Sequence, residues 1–263
     1  MRTTTLATLA LGLAATACTT LGPTPATTGV SAVPVGRPGV ELQAGIMPAF
    51  FLSDAANDGD GDKSATAQIH AIIEPDRILG TKGLILGARK WGEDGDSPIE
   101  PMIGYRRRLD SAFSIAAIAY GGHADGASSG ASYEATRFGG ELAIDAGITS
   151  RWSWLSGHLL ASLSATYLDA TGEYCVDTKG VAIDCDDNTR RVDGAVEGVY
   201  TAATAGMALD LARRPQGSVQ SIRLFLLGAI GIMPSLRDGM QMPSNNGYFS
   251  IGMGLSVGFG SPD

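Results

Sequence analysis

From Val40 to the end, apolar and polar residues alternate one for one in run after run. The last run is the clearest. Phe249, Ile251, Met253, Leu255, Val257 and Phe259 fall on one side, and Tyr248, Ser250, Gly252, Gly254, Ser256 and Gly258 on the other. The chain is 44% hydrophobic, so six apolar residues in six chosen positions would arise by chance less than about once in a hundred. A period of two places successive side chains on opposite faces of a strand. This run predicts a strand with one apolar face.

The same period recurs upstream. Val40, Leu42, Ala44, Ile46 and Phe50 oppose Glu41, Gln43, Gly45 and Met47, and Ala65 to Ile73 oppose Thr66, Gln68, His70, Ile72 and Glu74. Ile99, Ile103 and Tyr105 oppose Glu100, Gly104 and Arg106, while Phe138, Leu142, Ile144 and Ala146 oppose Arg137, Glu141, Ala143 and Asp145. Leu155, Leu159, Leu163 and Tyr167 oppose Ser156, His158, Ser164 and Thr166. Val199, Ala203, Met207 and Leu209 oppose Tyr200, Thr204 and Asp210, and Ile222, Leu224 and Leu226 oppose Ser221 and Arg223. Weaker strands cover 82–91 and 112–123. The count is ten, with eight or twelve as alternatives.

A soluble sandwich alternates too, so three further features decide. Strands of about 10–12 residues, tilted near 45°, cross an apolar band of roughly 25 Å, whereas globular strands average about 5–6 residues. The polar face carries Glu41, Gln43, Gln68, His70, Glu74, Glu100, Arg106, Arg137, Glu141, Asp145, His158 and Arg223. A barrel turns such a face inward, where arginines and carboxylates satisfy one another. With ten strands that lumen is narrow or filled. Last, the connections alternate in length. Those at 53–63, 92–98, 123–131, 171–191 and 234–246 are long, and those at 76–81, 108–111, 149–153 and 212–217 are short.

Charge follows the same division. The long connections hold Asp54, Asp58, Asp60, Asp62, Glu93, Asp94, Asp96, Asp177, Asp184, Asp186 and Asp187. The short ones, with the strand end that leads into 108–111, hold Arg77, Arg106, Arg107, Arg108, Arg151, Arg213 and Arg214. In this organisation residues 40–260 resemble the small outer-membrane β-barrels of Gram-negative bacteria, in architecture and not in any one family. The resemblance implies an all-β antiparallel transmembrane barrel, long loops outside and short turns in the periplasm. Two features depart from it. Phe259 is followed by Gly260-Ser261-Pro262-Asp263 where many such barrels end on an aromatic, and the lipid-facing side is rich in alanine.

The N-terminal segment belongs to a different logic. Arg2, the apolar run Leu6 to Ala17 and the small residues Ala15-Thr16-Ala17 read as a signal peptide over 1–17, too short to span a bilayer as a helix. Cys18 then resembles the acylated cysteine of bacterial lipoproteins, although Ala15 stands where leucine is usual; the alternative is ordinary cleavage after Ala17. Residues 18–38, rich in Pro and Thr, read as a tether. The domain plan is signal 1–17, tether 18–38, barrel 39–260 and tail 261–263. Of the three cysteines, Cys175 and Cys185 remain as a pair in an oxidising compartment, which predicts a local disulfide; two cysteines without nearby histidines make no zinc site.

A net charge of −8 excludes a nucleic-acid partner, which needs concentrated Lys and Arg. Asp58-Gly59-Asp60-Gly61-Asp62 looks like the start of a calcium loop, but Lys63 and Ile69 stand where the pattern demands Gly and Glu. A solvated acidic loop, or loose divalent-cation bridging to lipid headgroups, fits it better. His123 and Asp125, with Ser128 and Ser129 nearby, are a weak candidate for rim hydrolysis. The Arg106-Arg107-Arg108 run reads as a charged strand end, with a headgroup site as its alternative. No cofactor motif is present. The expected function is structural, adhesive or loop-mediated recognition, against three alternatives: a narrow pore, a rim hydrolase, and a lipid-tethered soluble β-protein.

Overall fold

The structure is a computed structural model. It describes residues 39–51, 64–75, 83–91, 99–110, 112–128, 131–148, 155–176, 182–183, 190–211, 219–232, 236–237 and 247–260. Every described element is a strand: β1 Gly39–Phe51, β2 Ser64–Glu74, β3 Leu84–Trp91, β4 Ile99–Arg108, β5 Phe113–Ser128, β6 Ala131–Ile148, β7 Ser156–Val176, β8 Ala182–Ile183, β9 Arg190–Asp210, β10 Val219–Ile232, β11 Leu236–Arg237 and β12 Gly247–Gly260. All pairings are antiparallel.

Ten of these strands close a ring. Neighbours in sequence pair from β1 to β7, β7 pairs β9 directly, β9 pairs β10, and β10 pairs β12. The ring closes where β12 meets β1, with Gly39 opposite Gly260 and Val40 opposite Phe259. The two-residue strands β8 and β11 lie against β7 and β9 outside the ring count. Closure removes every edge within the ring, as a bilayer requires. It also overturns the soluble alternative, which needed the apolar faces packed against another layer.

Those faces are open instead. Phe138, Leu142, Leu163, Ile230 and Met253 keep 58–67% of their surface exposed, while the intervening residues are buried. On β6 the apolar belt runs from Phe138 to Ile148 and on β9 from Val199 to Leu209. Eleven residues at about 3.3 Å, tilted about 45°, rise roughly 25 Å, the height of the hydrocarbon band.

The strands do not stop there. β7 and β9 are 21 residues long each, β6 is 18 and β5 is 16, against 8 for β3 and 10 for β4. On β7 the outward face changes from Leu159, Leu163 and Tyr167 to Asp169 and Thr171, so residues 168–176 continue about 20 Å beyond the belt. The 123–131 connection and both ends of the 171–191 connection, expected as loops, are therefore largely strand. Above the belt the alternation reverses phase, with Asp169 and Thr171 outward and Leu168 and Ala170 inward, so the apolar outward face that reveals the strand disappears.

At the opposite end the turns are tight. Asp110 Oδ1 accepts hydrogen bonds from the amides of Ala112 and Phe113 at 2.6 and 2.7 Å, closing β4 onto β5. Gly83 enters β3 at φ 88°, and a Cβ there would stand 2.3 Å from the Arg106 carbonyl oxygen, so only glycine fits.

Candidate functional site: the filled lumen and the upper wall

The inward face brings two polar clusters together. Near the turn end, Arg106 on β4 lies between Glu41 on β1 and Glu74 on β2. Its Nη1 meets Glu41 Oε2 at 2.8 Å and its Nε bonds Glu74. Ser256 Oγ on β12 donates to Glu41 Oε1 at 2.6 Å. Across the bore, Arg223 on β10 grips Asp210 on β9 with two bonds of 2.5 and 3.0 Å and reaches Asp145 on β6 at 3.5 Å. His158 on β7 bridges the same acids, Nδ1 to Asp145 at 2.6 Å and Nε2 to Asp210 at 3.2 Å. It is the third residue of β7, at the turn end.

Ser156 stands 3.4 Å from His158 Nε2, an order of Ser, His and Asp that invites comparison with a hydrolytic triad. The geometry argues against it. A ring that bridges two carboxylates donates from both nitrogens and has no lone pair left for a serine proton.

The second cluster lies nearer the long-strand end. Glu100 on β4 sits between two arginines, bonding Arg89 on β3 and meeting Arg137 Nε on β6 at 2.5 Å. Arg137 Nη1 donates to the Tyr200 hydroxyl on β9 at 2.9 Å. The Arg89 guanidinium lies 3.8 Å over the Tyr120 ring, and the Tyr120 hydroxyl meets Thr166 Oγ1 on β7 at 2.8 Å. One chain of contacts thus ties β3, β4, β5, β6, β7 and β9 across the bore.

Between and around these clusters the lumen is apolar. Ile72, Ile85, Met102, Ile118 and Tyr120 form one group, Leu168, Ala170 and Tyr200 a second, and Ala208, Phe225, Leu227 and Ala229 a third. Gly254 makes room for the last of these, since a Cβ there would lie 2.2 Å from Phe225 Cζ. Arg89, Arg106, Arg137 and Arg223 keep only 1–6% exposure. Side chains beside a water-filled channel would keep far more, so the bore is filled by residues.

Of the lumen residues read from sequence, Glu41, Gln43, His70, Glu74, Glu100, Arg106, Arg137, Glu141, Asp145 and Arg223 are buried, and His158 is largely so. Gln68 stands in β2 opposite Gly45 and Trp91; its side chain lies outside the described residues. Arg89, Tyr120, Tyr200, Asp210 and Ser256 complete the clusters and were not singled out. Arg89 was hidden because Leu84 to Trp91 shows no contrast between its two faces.

Other candidates separate. His123 faces outward at 52% side-chain exposure, its Nδ1 2.9 Å from Thr136 Oγ1 and its Nε2 3.8 Å from Glu134. Asp125 and Ser128 follow it on β5, and Ser129 lies outside the described residues. Arg107 and Arg108 are exposed at the turn end. Cys175 is on β7 opposite Ile183. Asp58, Asp60, Asp62, Cys18, Cys185, the signal, the tether and the tail lie outside the described residues, and among those described no group of His, Cys, Asp and Glu is placed to hold a metal.

No family model and no curated protein sequence matches the chain. Among solved structures it is similar to neisserial surface protein A, with 11% identity over 84% of this chain and 96% of that one and a TM-score of 0.36. It is likewise similar to the attachment invasion locus protein of Yersinia pestis (10% identity, 84% and 99% covered, TM-score 0.32) and to the outer membrane protease OmpT of Escherichia coli (8%, 84% and 95%, 0.39). None of these is close enough in shape to carry an argument about activity. An even-stranded antiparallel ring, a belt of hydrocarbon height and a filled lumen are those of an outer-membrane β-barrel of a Gram-negative bacterium.

Proposed function

We propose that this barrel acts through its outer wall and not through its bore, as a structural or recognition protein of the cell surface. One observation carries the reading. β5, β6, β7 and β9 rise past the belt as a continuous sheet, while the lumen beneath them is filled. A rigid sheet standing clear of the headgroups presents side chains to the medium on a fixed scaffold. A filled lumen holds that scaffold in shape.

The test is to shorten the β7–β9 hairpin by joining Gly172 to Gly194, which face each other in register, through a two-residue turn. Cells displaying the full and shortened chains are compared for adherence to protein-coated surfaces and for sensitivity to bile detergent. A shortened chain that still migrates faster before boiling, yet loses adherence or detergent resistance, supports the reading. Unchanged phenotypes in both assays would sink it. The predicted Cys175–Cys185 bridge belongs to this hairpin, and we propose that it closes the tip; a two-dalton deficit in the unreduced peptide, restored on reduction, is the expected signature.

A further inference from the structure

At the turn end the outer wall is apolar on strand after strand. Val40, Ile73, Phe113, Ile148 and Leu209 face outward there and are exposed. On β4 the corresponding position is Arg107, exposed and one residue from the strand's end. The three consecutive arginines thus have separate surroundings. Arg106 turns inward and is held by Glu41 and Glu74. Arg107 turns outward opposite Ile115, and Arg108 follows it at the exposed lip opposite Ser114. Asp110, the nearest acid along the chain, gives its Oδ1 to the amides of Ala112 and Phe113. Among the described residues neither Arg107 nor Arg108 has a hydrogen bond or an ion pair.

Tyr105 stands next to Arg107 on the same face of β4, 46% exposed. Its ring leans over Gly83 where β3 begins, for a Cβ on Gly83 would lie 3.0 Å from Tyr105 Cε2 and 3.2 Å from Cζ. Gly83 bonds Arg106, one residue nearer the turn end than Tyr105. The phenol is therefore carried towards that end, on the side of Arg107. Its hydroxyl has no partner among the described residues. A ring against the belt with its hydroxyl at the rim is the pose of a tyrosine at the edge of the hydrocarbon. An arginine beside it lays its stem along apolar surface and carries its charge outward to phosphate and water. One guanidinium fork and one phenol, both unmet, stand about 7 Å apart along the strand.

We propose that Tyr105 and Arg107 hold the phosphate of one phospholipid in the periplasmic leaflet, with Arg108 favouring a headgroup of net negative charge. Short turns lie on the periplasmic side of such barrels, so the phosphates within reach are those of that leaflet. The fork donates two parallel bonds to phosphate oxygens and the phenol donates a third. An open trough of about 650 Å³, lined by Ile103, Tyr105, Ala117, Ala119, Leu142 and Leu163, lies on the same wall. It gives an acyl chain of that lipid a low path into the belt. A soluble partner is disfavoured, since the Tyr105 ring and Ile115 keep this face against lipid. The assignment rests on the barrel and its orientation, and stands apart from the recognition role proposed above.

The test uses the full chain in vesicles of equal parts phosphatidylglycerol and phosphatidylethanolamine with EDTA present, followed by native mass spectrometry. One phosphatidylglycerol adduct is expected, enriched about tenfold over phosphatidylethanolamine, as charge-assisted contacts to one headgroup provide. Arg107→Gln removes the adduct. Arg108→Gln keeps it and lowers its preference towards the vesicle ratio, and Tyr105→Phe reduces its occupancy about threefold, the loss of one hydrogen bond. All three positions are exposed and outside the lumen, so migration before boiling is unchanged in each variant. The proposal is overturned if the unaltered chain carries the lipids in the vesicle ratio, or if the preferred adduct survives Arg107→Gln, which would place the phosphate elsewhere on the barrel. Displacement of the adduct by millimolar inorganic phosphate would mean a site for the free anion and overturns it equally.

Discussion

At the scale of single residues, the lumen is held by charges that have no water to return to. Arg106 neutralises one of the two carboxylates it touches and donates to both. Arg106→Met leaves Glu41 and Glu74 buried together, and stability falls by about 3–5 kcal/mol in urea unfolding from micelles. Replacing all three by apolar residues of similar volume costs far less, because no orphaned charge remains. Gly254 gives the steric counterpart. Gly254→Val drives a side chain into the Phe225 ring and costs about 1–3 kcal/mol by the same measurement. Alternation sorts Glu41, Glu74, Glu100, Arg106 and Arg137 onto one face of their strands. It cannot say which of them meet across the bore, because that depends on ring order and register. Arg89 and Tyr120 were hidden for a simpler reason: in their strands the inward residues are largely as apolar as the outward ones.

At the scale of strands, depth decides what a substitution does. Leu163→Arg places a charge in the middle of the belt and costs about 2–4 kcal/mol, whereas Ile148→Arg, at the turn end of β6, costs about 0–1 kcal/mol. Equal losses at the two positions, read from the same unfolding curves, would contradict a hydrocarbon belt at this height. The same variable explains which strand limits the sequence revealed. Within the belt one face meets lipid and the other the lumen, so Phe138 to Ile148 announces itself. Above it Glu134, Thr136, Asp169 and Thr171 meet water on the outside, and the apolar outward face gives way although the hydrogen-bonded ladder runs on.

At the scale of the whole barrel, the filled bore predicts electrical silence. In planar bilayers the unaltered chain shows no steady open level, and Glu100→Ala with Arg137→Ala, which removes the β4–β6 tie, raises conductance. A large steady current from the unaltered chain would favour the narrow-pore reading instead. The ring also dictates an order of assembly. Nearly every ladder joins strands close in sequence and can form as soon as its hairpin exists. The seam is different, for β1 waits for β12, and the bond from Ser256 to Glu41 spans 215 residues. Chain-closure entropy is set against that one contact more than any other. A chain interrupted anywhere before Gly247 has a raw edge on β1 and another on its last strand, and no route to a sealed wall. Assembly is therefore all or nothing with respect to synthesis. The polypeptide must be carried across the cell envelope unclosed, and its first and last segments meet only after both have been delivered.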